Sequence, residues 1–170
     1  MNQKTPYEMV REFHQVFAPA KNTKPTAFTS EEALYRANFT TEEIIEFLYA
    51  TSGGDMSQFD TLLAQWQEGI QDAVTKIKTK AEPVEDILVG QVDALTDTNY
   101  FVYGSFVLMG VNPDPLFQIV HQANMGKLFP DGKPHYREGD GKVIKPDNWE
   151  ADYAPEPKLH AEVARQIENS

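Results

Sequence analysis

Apolar residues recur at helical spacing along the chain as far as about Lys127, and polar or helix-breaking residues divide this pattern into five segments. The first two segments each open with a capping box, in which a threonine is followed three residues later by a glutamate. The third opens with an aspartate at the capping position. The pattern predicts three helices, which run from Thr5 to Pro19, from Thr29 to Ser52-Gly53-Gly54 and from Asp55 to just before Pro83.

The fourth predicted helix, from about Val84 to Gly110, is apolar on almost every side. Such a pattern is typical of a helix that packs against neighbours all round, so we expect it to form the core of a helical bundle. A fifth helix is predicted to start at Asn112-Pro113, where asparagine is a favoured cap and proline a favoured first residue, and to fade near Lys127.

The remainder of the chain changes character, because Pro, Gly and Asp become frequent between residues 129 and 157. This stretch is predicted to be mostly loop, with a small hairpin around Glu138-Gly139-Asp140-Gly141, and a short surface helix is predicted from Lys158 to Glu168. The predicted fold is therefore a single all-α domain over residues 1–170. It consists of a four-helix core bundle with an added N-terminal helix and an irregular C-terminal segment.

Charge and composition narrow the classes of function. A formal net charge of -11 over 170 residues argues against nucleic-acid binding and against an anionic membrane surface, since both need a broad basic face. The chain has no cysteine, which excludes disulfides and thiolate metal sites and suits a reducing compartment. No apolar stretch is long enough to cross a bilayer and no targeting segment is visible, so we expect a cytoplasmic protein.

Acidic residues on the second predicted helix form the first candidate site. Glu42, Glu43 and Glu46 lie within five positions, and the last two share a face of the helix. Glutamates at this spacing are also common on solvated helix surfaces, so this motif alone favours the surface interpretation.

Two aspartates on the fourth predicted helix strengthen the case for a metal site. Asp93 and Asp97 lie one turn apart within an apolar run, where a carboxylate removed from water requires a compensating cation. A surface edge of the helix, or salt bridges to Lys or Arg, would explain the pair equally well on its own. Together with Glu43 and Glu46 on a neighbouring helix, the four carboxylates predict a site for one or two Mg²⁺ ions, which prefer oxygen ligands.

Other helical metal proteins fit less well. A ferritin-like di-iron site needs Glu-x-x-His pairs on two helices, and no histidine of the chain has a glutamate three residues before it. No strand-turn-helix segment around a serine indicates a Ser-His-Asp hydrolase.

With these motifs the sequence resembles the all-α nucleotide pyrophosphohydrolase superfamily, which includes MazG, the dimeric dUTPases and phosphoribosyl-ATP pyrophosphohydrolase. It looks closest to the phosphoribosyl-ATP pyrophosphohydrolase-like branch, also labelled Cof-like, over most of residues 8–150. The resemblance rests on five motifs: Val10-Arg11-Glu12-Phe13-His14, Glu43-Ile44-Ile45-Glu46 with the preceding Glu42, Asp93-Ala94-Leu95-Thr96-Asp97-Thr98-Asn99-Tyr100, Asn124-Met125-Gly126-Lys127 and Asp140-Gly141-Lys142-Val143-Ile144-Lys145-Pro146.

The resemblance implies a hydrolase that converts a nucleoside triphosphate or related nucleotide to the monophosphate and pyrophosphate, with Mg²⁺, or Mn²⁺ in its place. It implies metal binding by the four carboxylates, with Glu42 as a catalytic base or orienting group. It also implies a homodimer or homotetramer, since members of the superfamily often complete their sites across subunits. The residues that the resemblance assigns to substrate binding are Asn124, Lys127, Lys142 and Lys145.

One position departs from the family pattern. The second motif of the family is usually Glu-x-x-Asp, and alignment of its aspartate with Asp97 places Ala94 where the glutamate is expected. Asp93, one position earlier, is the candidate replacement. Two alternatives therefore remain open, namely a non-catalytic helical scaffold or binding protein with a degenerate metal site, and a phosphatase that releases orthophosphate.

Overall fold

The fold was analysed in a computed structural model, which describes residues 4–19, 22–139 and 141–170. The described part of the chain contains seven helices and no strand beyond an isolated bridge, so the predicted all-α class is confirmed. The helices are α1 (Pro6–Phe17), α2 (Ser30–Thr51), α3 (Met56–Lys80), α4 (Ile87–Met109), α5 (Pro113–Met125), α6 (Trp149–Tyr153) and α7 (Glu156–Glu168).

Side-chain caps explain where most of these helices begin. Thr5 and Thr29 each form the predicted capping box, and Asp55 and Asn112 accept hydrogen bonds from the first turns of α3 and α5. The start of α4 differs from the prediction by three residues. It begins after Asp86, whose carboxylate accepts a hydrogen bond from the Val89 backbone nitrogen at 3.1 Å.

The chain divides into two compact units, of which one comprises Pro25–Leu95. In this unit α2 and α3 pack against each other as a helical hairpin, and the rings of Tyr49 and Phe59 meet edge to face at 5.4 Å. Gly53 and Gly54 close the hairpin with φ values of 61° and 84°, a region that favours glycine. The predicted stop of the second helix at this turn is confirmed.

The other unit comprises Met1–Lys24 and Thr96–Ser170. Within it α5 packs against both α1 and α7. Its buried apolar residues are Met9, Phe17, Ala123 and Trp149. The boundary between the two units falls inside α4, and the single domain over residues 1–170 stays a prediction.

Two glutamines each clamp a chain segment to a helix of the same unit. The Gln91 amide accepts from the Phe28 backbone nitrogen at 2.8 Å and donates to the Phe28 carbonyl at 3.1 Å. The Gln166 amide makes the same pair of bonds with the backbone of Asn112, at 2.8 and 3.0 Å. Each clamp lies at the entry to a helix, α2 in the first case and α5 in the second.

The expectation that the fourth helix is buried in the core of one chain is wrong. None of α2, α3 and α4 contains a buried residue, and in α4 the side chains of Phe101 and Leu108 are 72% and 90% exposed. An apolar sequence pattern indicates that burial of the helix surface is favourable. It does not specify which neighbour the surface packs against. No helix among the described residues is long and apolar enough to span a membrane.

The C-terminal region contains one helix that the sequence pattern did not indicate. Residues Tyr136 and Val143 form an antiparallel bridge, which confirms the predicted hairpin except at Asp140, which lies outside the described residues. The helix α6 then lies within the stretch predicted to be mostly loop. A five-residue helix is too short to generate a helical repeat in the sequence.

A glycine at the end of α5 permits the close packing of α6. A Cβ atom added to Gly126 would lie 2.3 Å from Cγ of Tyr153. We expect Gly126→Ala to lower the free energy of unfolding by about 1 to 3 kcal/mol, because the ring must shift. Gly69→Ala in α3 is the matched control, since nothing lies within 4 Å of its added Cβ, and it should raise stability by up to about 1 kcal/mol. Urea unfolding at one protein concentration measures both, and equal effects would contradict this prediction.

An acid-sensitive contact lies on α7. Glu162 accepts two hydrogen bonds from Arg165, at 2.6 and 2.7 Å, and one from Gln166. The bonds from Arg165, followed by that from Gln166, lower the pKa of Glu162 from 4.5 to about 2. Because the folded-state pKa is depressed, the contribution of Glu162 to stability is present above pH 4.5 and is lost as the pH falls toward 2.

Glu162→Gln is therefore expected to make the loss of stability between pH 4.5 and 2 smaller than in the parent protein. Thermal unfolding from pH 6 to about 2 measures it, with Glu156→Gln on the same helix as the control. A Glu162→Gln profile parallel to that of the parent would refute the assignment.

Candidate active site

The acidic motif of α2 lies on the exposed surface of that helix. Glu42, Glu43 and Glu46 are all exposed, and α2 carries them well inside its ends. The side chains of these three residues form no hydrogen bond or ion pair with another described residue. The helix therefore presents three uncompensated negative charges within five positions, an arrangement that attracts cations.

The aspartates of α4 are exposed as well. Asp93 and Asp97 lie one turn apart, and neither pairs with a lysine or arginine among the described residues. Salt bridges therefore do not account for the pair in that part of the chain. The inference that these carboxylates are removed from water is therefore wrong for the described part of one chain. The whole of α4 has no buried residue.

The predicted ligands do not converge in a single copy of the chain. Among the residues described, no three His, Asp or Glu side chains lie close enough together to hold a metal ion. The acidic residues thus supply oxygen donor atoms suited to Mg²⁺ on two helices, without forming an assembled metal site in the described part of one chain.

Two of the four predicted substrate-binding residues are in contact at the end of α5, and the charge of a third, Lys145, acts on one of them. Lys127 donates a hydrogen bond from Nζ to Oδ1 of Asn124 at 2.7 Å. Burial lowers the pKa of Lys127, and the positive charge of Lys145 lowers it further. The Lys127 ammonium meets no carboxylate in the part of the chain that the structure describes, so this half-buried cation is poised to receive an anion.

Lys145 is held by residues that the sequence did not single out. Its ammonium lies 3.7 Å from the ring centroid of Trp149 and 3.2 Å from Oε1 of Glu150. Trp149 is 5% exposed. A tryptophan within a Pro- and Gly-rich stretch is a sequence feature from which the anchoring of this segment could have been predicted. Lys142 lies in the exposed hairpin, where its carbonyl accepts from the Arg137 nitrogen, and its role in substrate binding stays a prediction.

The geometry defines a class of chemistry before any comparison is made. Carboxylates on α2 and α4 are suited to a hard divalent cation, and the cluster of Asn124, Lys127 and Lys145 is suited to phosphate oxygens. An all-α protein that offers both sets of groups has the side chains needed to bind a phosphate anhydride together with a divalent cation.

Comparison with known proteins gives the family. The model of the phosphoribosyl-ATP pyrophosphohydrolase family matches residues 10–124, which include all five acidic candidates and Asn124. The crystal structure of a "putative NTP pyrophosphohydrolase" from Exiguobacterium sp. 255-15 is 44% identical, with a TM-score of 0.89 and coverage of 99% of each chain. None of the curated proteins gave a significant match.

The chain belongs to the phosphoribosyl-ATP pyrophosphohydrolase family. This membership supports a pyrophosphohydrolase that acts on nucleotides, in agreement with the resemblance noted from the sequence motifs. The three lysines lie beyond the stretch matched by the family model, in a region that the Exiguobacterium structure also covers.

Proposed function

We propose that the protein hydrolyses a nucleoside triphosphate, or a related nucleotide, to the monophosphate and pyrophosphate. The observation that carries this proposal is the position of the acidic motifs. All of them fall inside the family match, on two helices, and none is neutralised by a basic residue among those described. Exposed carboxylates alone would also fit a solvated surface, so the family match over all five positions is what favours a catalytic role.

Mg²⁺ is the proposed metal ion, with Mn²⁺ as a substitute. The proposed ligands are Glu43 and Glu46 of α2 with Asp93 and Asp97 of α4, and this all-oxygen set matches the preference of a hard cation. When bound, the ion would neutralise charge on the phosphates and lower the pKa of the attacking water.

Side chains of the protein would accept the proton of the attacking water and bind the leaving group. Water attacks the α-phosphorus, a new phosphorus–oxygen bond forms, and the bond to the oxygen that bridges to the β-phosphorus breaks. Glu42, beside the proposed ligands but without a partner of its own among the described residues, is the candidate to accept the proton of the water. Asn124, Lys127, Lys142 and Lys145 are the candidates to hold the leaving pyrophosphate, whose negative charge they would offset.

We further propose that the active form is a homodimer or homotetramer. Many large apolar side chains of α2, α3 and α4 are exposed in the described part of one chain. A second copy is therefore the proposed cover. Association is also the proposed means of completing the metal site, because three ligands do not converge within the described part of one copy. A cytoplasmic location stays a prediction.

A panel of nucleotides with Mg²⁺ tests the reaction. Canonical nucleoside triphosphates, dUTP and phosphoribosyl-ATP should be assayed separately for pyrophosphate and for orthophosphate. We expect pyrophosphate from at least one of them. Orthophosphate alone would instead identify a phosphatase. If the folded protein turns over none of them and calorimetry finds no Mg²⁺ or Mn²⁺ binding, the scaffold alternative is correct.

A further inference from the structure

The segment that carries Lys145 has little regular structure of its own. Before α6 its contacts include the bridge between Tyr136 and Val143, the hydrogen bond from the Ile144 nitrogen to the His135 carbonyl, and a bond of 2.7 Å from the Tyr136 hydroxyl to the Phe17 carbonyl of α1. A lysine in such a segment has no intrinsic reason to lie near the end of α5. The contacts of the Lys145 side chain itself are with residues that follow it in the chain, Trp149 and Glu150.

Trp149 anchors this segment. Its indole nitrogen donates a buried hydrogen bond of 2.8 Å to the carbonyl of Ala123. Ala123 lies in the last turn of α5, where carbonyl groups run out of partners within the helix. One side chain thus satisfies a helix end, fills the core of its unit and ties α6 to α5.

A second contact on the same short helix fixes its orientation. Tyr153 lies one turn after Trp149, and its ring rests on Gly126, one turn after Ala123 on α5. Two residues of α6 therefore pack on two matching positions of α5. With both contacts in place, the chain just before α6 is held beside the chain just after α5, where Lys127 lies.

The arrangement places two cations together at an electrostatic cost. The Lys145 ammonium lies over the Trp149 ring, and its charge acts on the half-buried Lys127. Lys145 also pairs with Glu150, but both side chains are largely exposed, and exposed pairs of this kind contribute little. Lys127 and Lys145, whose charges act on each other, have one exposed acidic partner among the described residues, Glu150, and are suited to an anion with several oxygen atoms.

We infer that Trp149 is a positioning residue, which holds Lys145 beside Lys127 so that the two ammonium groups receive the pyrophosphate leaving group. The identity of the anion rests on the proposed function, whereas the positioning by Trp149 rests on the packing alone. Trp149 itself does not touch the substrate. Its ring borders the ammonium of Lys145, so the binding of an anion there changes the surroundings of the indole.

Fluorescence of Trp149 tests the inference directly. The chain has two tryptophans, and Trp66→Phe leaves Trp149 as the only one. Inorganic pyrophosphate is titrated in the presence of a chelator, so that binding through a metal ion does not contribute. We expect a saturable change in emission that Lys145→Met abolishes and Lys158→Met leaves intact. Lys158 is the matched control, because it lies near Tyr153 and donates to the Asp152 carbonyl.

Variants of Trp149 separate positioning from general stability. By calorimetry we expect Trp149→Leu, which removes both the aromatic face and the hydrogen bond to Ala123, to weaken pyrophosphate binding about tenfold. Trp149→Phe, which removes the hydrogen bond but keeps an aromatic face for Lys145, should weaken it by about threefold. Glu150→Gln should tighten binding, since it removes the competing carboxylate. If Trp149→Leu fails to fold, Trp149→Phe and Lys145→Met still test the inference. The Lys145 side chain is exposed, so its replacement should not prevent folding.

Two results would overturn the inference: no fluorescence change with pyrophosphate, or unchanged affinity in Lys145→Met. Pyrophosphate binding at this site in a protein that turns over no nucleotide would contradict the proposed function and leave the role of Trp149 standing. Turnover of a nucleotide without the fluorescence change would support the proposed function and contradict the role of Trp149.

Discussion

Replacement of Glu46 by Gln is expected to lower kcat/KM for the nucleotide substrate about 10³-fold. The substitution keeps the size of the side chain and removes one charged oxygen ligand, and metal ions contribute several kcal/mol to the stabilisation of developing charge, with each 1.36 kcal/mol equal to a factor of ten. Steady-state kinetics at saturating Mg²⁺ measures the loss, and calorimetry with Mn²⁺ should record weaker metal binding in the same variant.

Glu68→Gln provides the matched control for this result. Glu68 is an exposed glutamate of α3 outside the acidic motifs, and its replacement removes the same charge from the protein. We expect it to change kcat/KM by less than about twofold, as is usual for surface charges. Equal activities in Glu46→Gln and Glu68→Gln would mean that the acidic motif of α2 is only a solvated surface.

An aspartate at position 108 is expected to dissociate the protein into monomers. Leu108 is 90% exposed in one chain although it lies in the most apolar helix, and the proposed cover is a second copy. A carboxylate buried at that interface costs several kcal/mol, so the dissociation constant should rise at least about 10³-fold. Analytical ultracentrifugation over a range of concentrations measures the change.

The same variant tests whether association completes the metal site. We expect Leu108→Asp to lose Mn²⁺ binding and turnover together with association, although it changes none of the proposed ligands. Tyr7→Asp is the control, because Tyr7 is 74% exposed on α1, outside the uncovered helices. A Leu108→Asp protein that is monomeric and fully active would refute the coupling, and one that remains associated would refute the proposed interface.

Local chemistry made the helices predictable. The capping threonines, Asp55 and the Asn112-Pro113 pair act within a few residues of themselves, so the starts of α1, α2, α3 and α5 could be derived without knowledge of the fold. The start of α4 was placed too early because Val84 and Glu85 fit a helical pattern. Asp86, which provides the cap, stands among three acidic residues that gave no reason to prefer it.

Properties that depend on distant contacts could not be derived in the same way. The expectation that α4 forms the buried core of the bundle was wrong, because periodicity carries no information about which neighbours a helix has. The acidic motifs identified candidate ligands by residue type and spacing. The contact of Lys145 with Trp149 depends on the anchoring of α6 to α5, which no local rule predicts.

The two glutamine clamps have a consequence for a protein whose described residues form no sheet. In each clamp a side-chain amide offers one donor and one acceptor to the N–H and C=O of a single residue, as a neighbouring strand does at one hydrogen-bonded pair of a β-ladder. Gln91 and Gln166 therefore replace a neighbouring strand at one residue each, and they set the direction in which the chain enters α2 and α5. Glutamate has nearly the same shape but only accepts, so deamidation of either side chain, a change of one atom and one charge, would turn one of the two hydrogen bonds of that clamp into a repulsion between two acceptors.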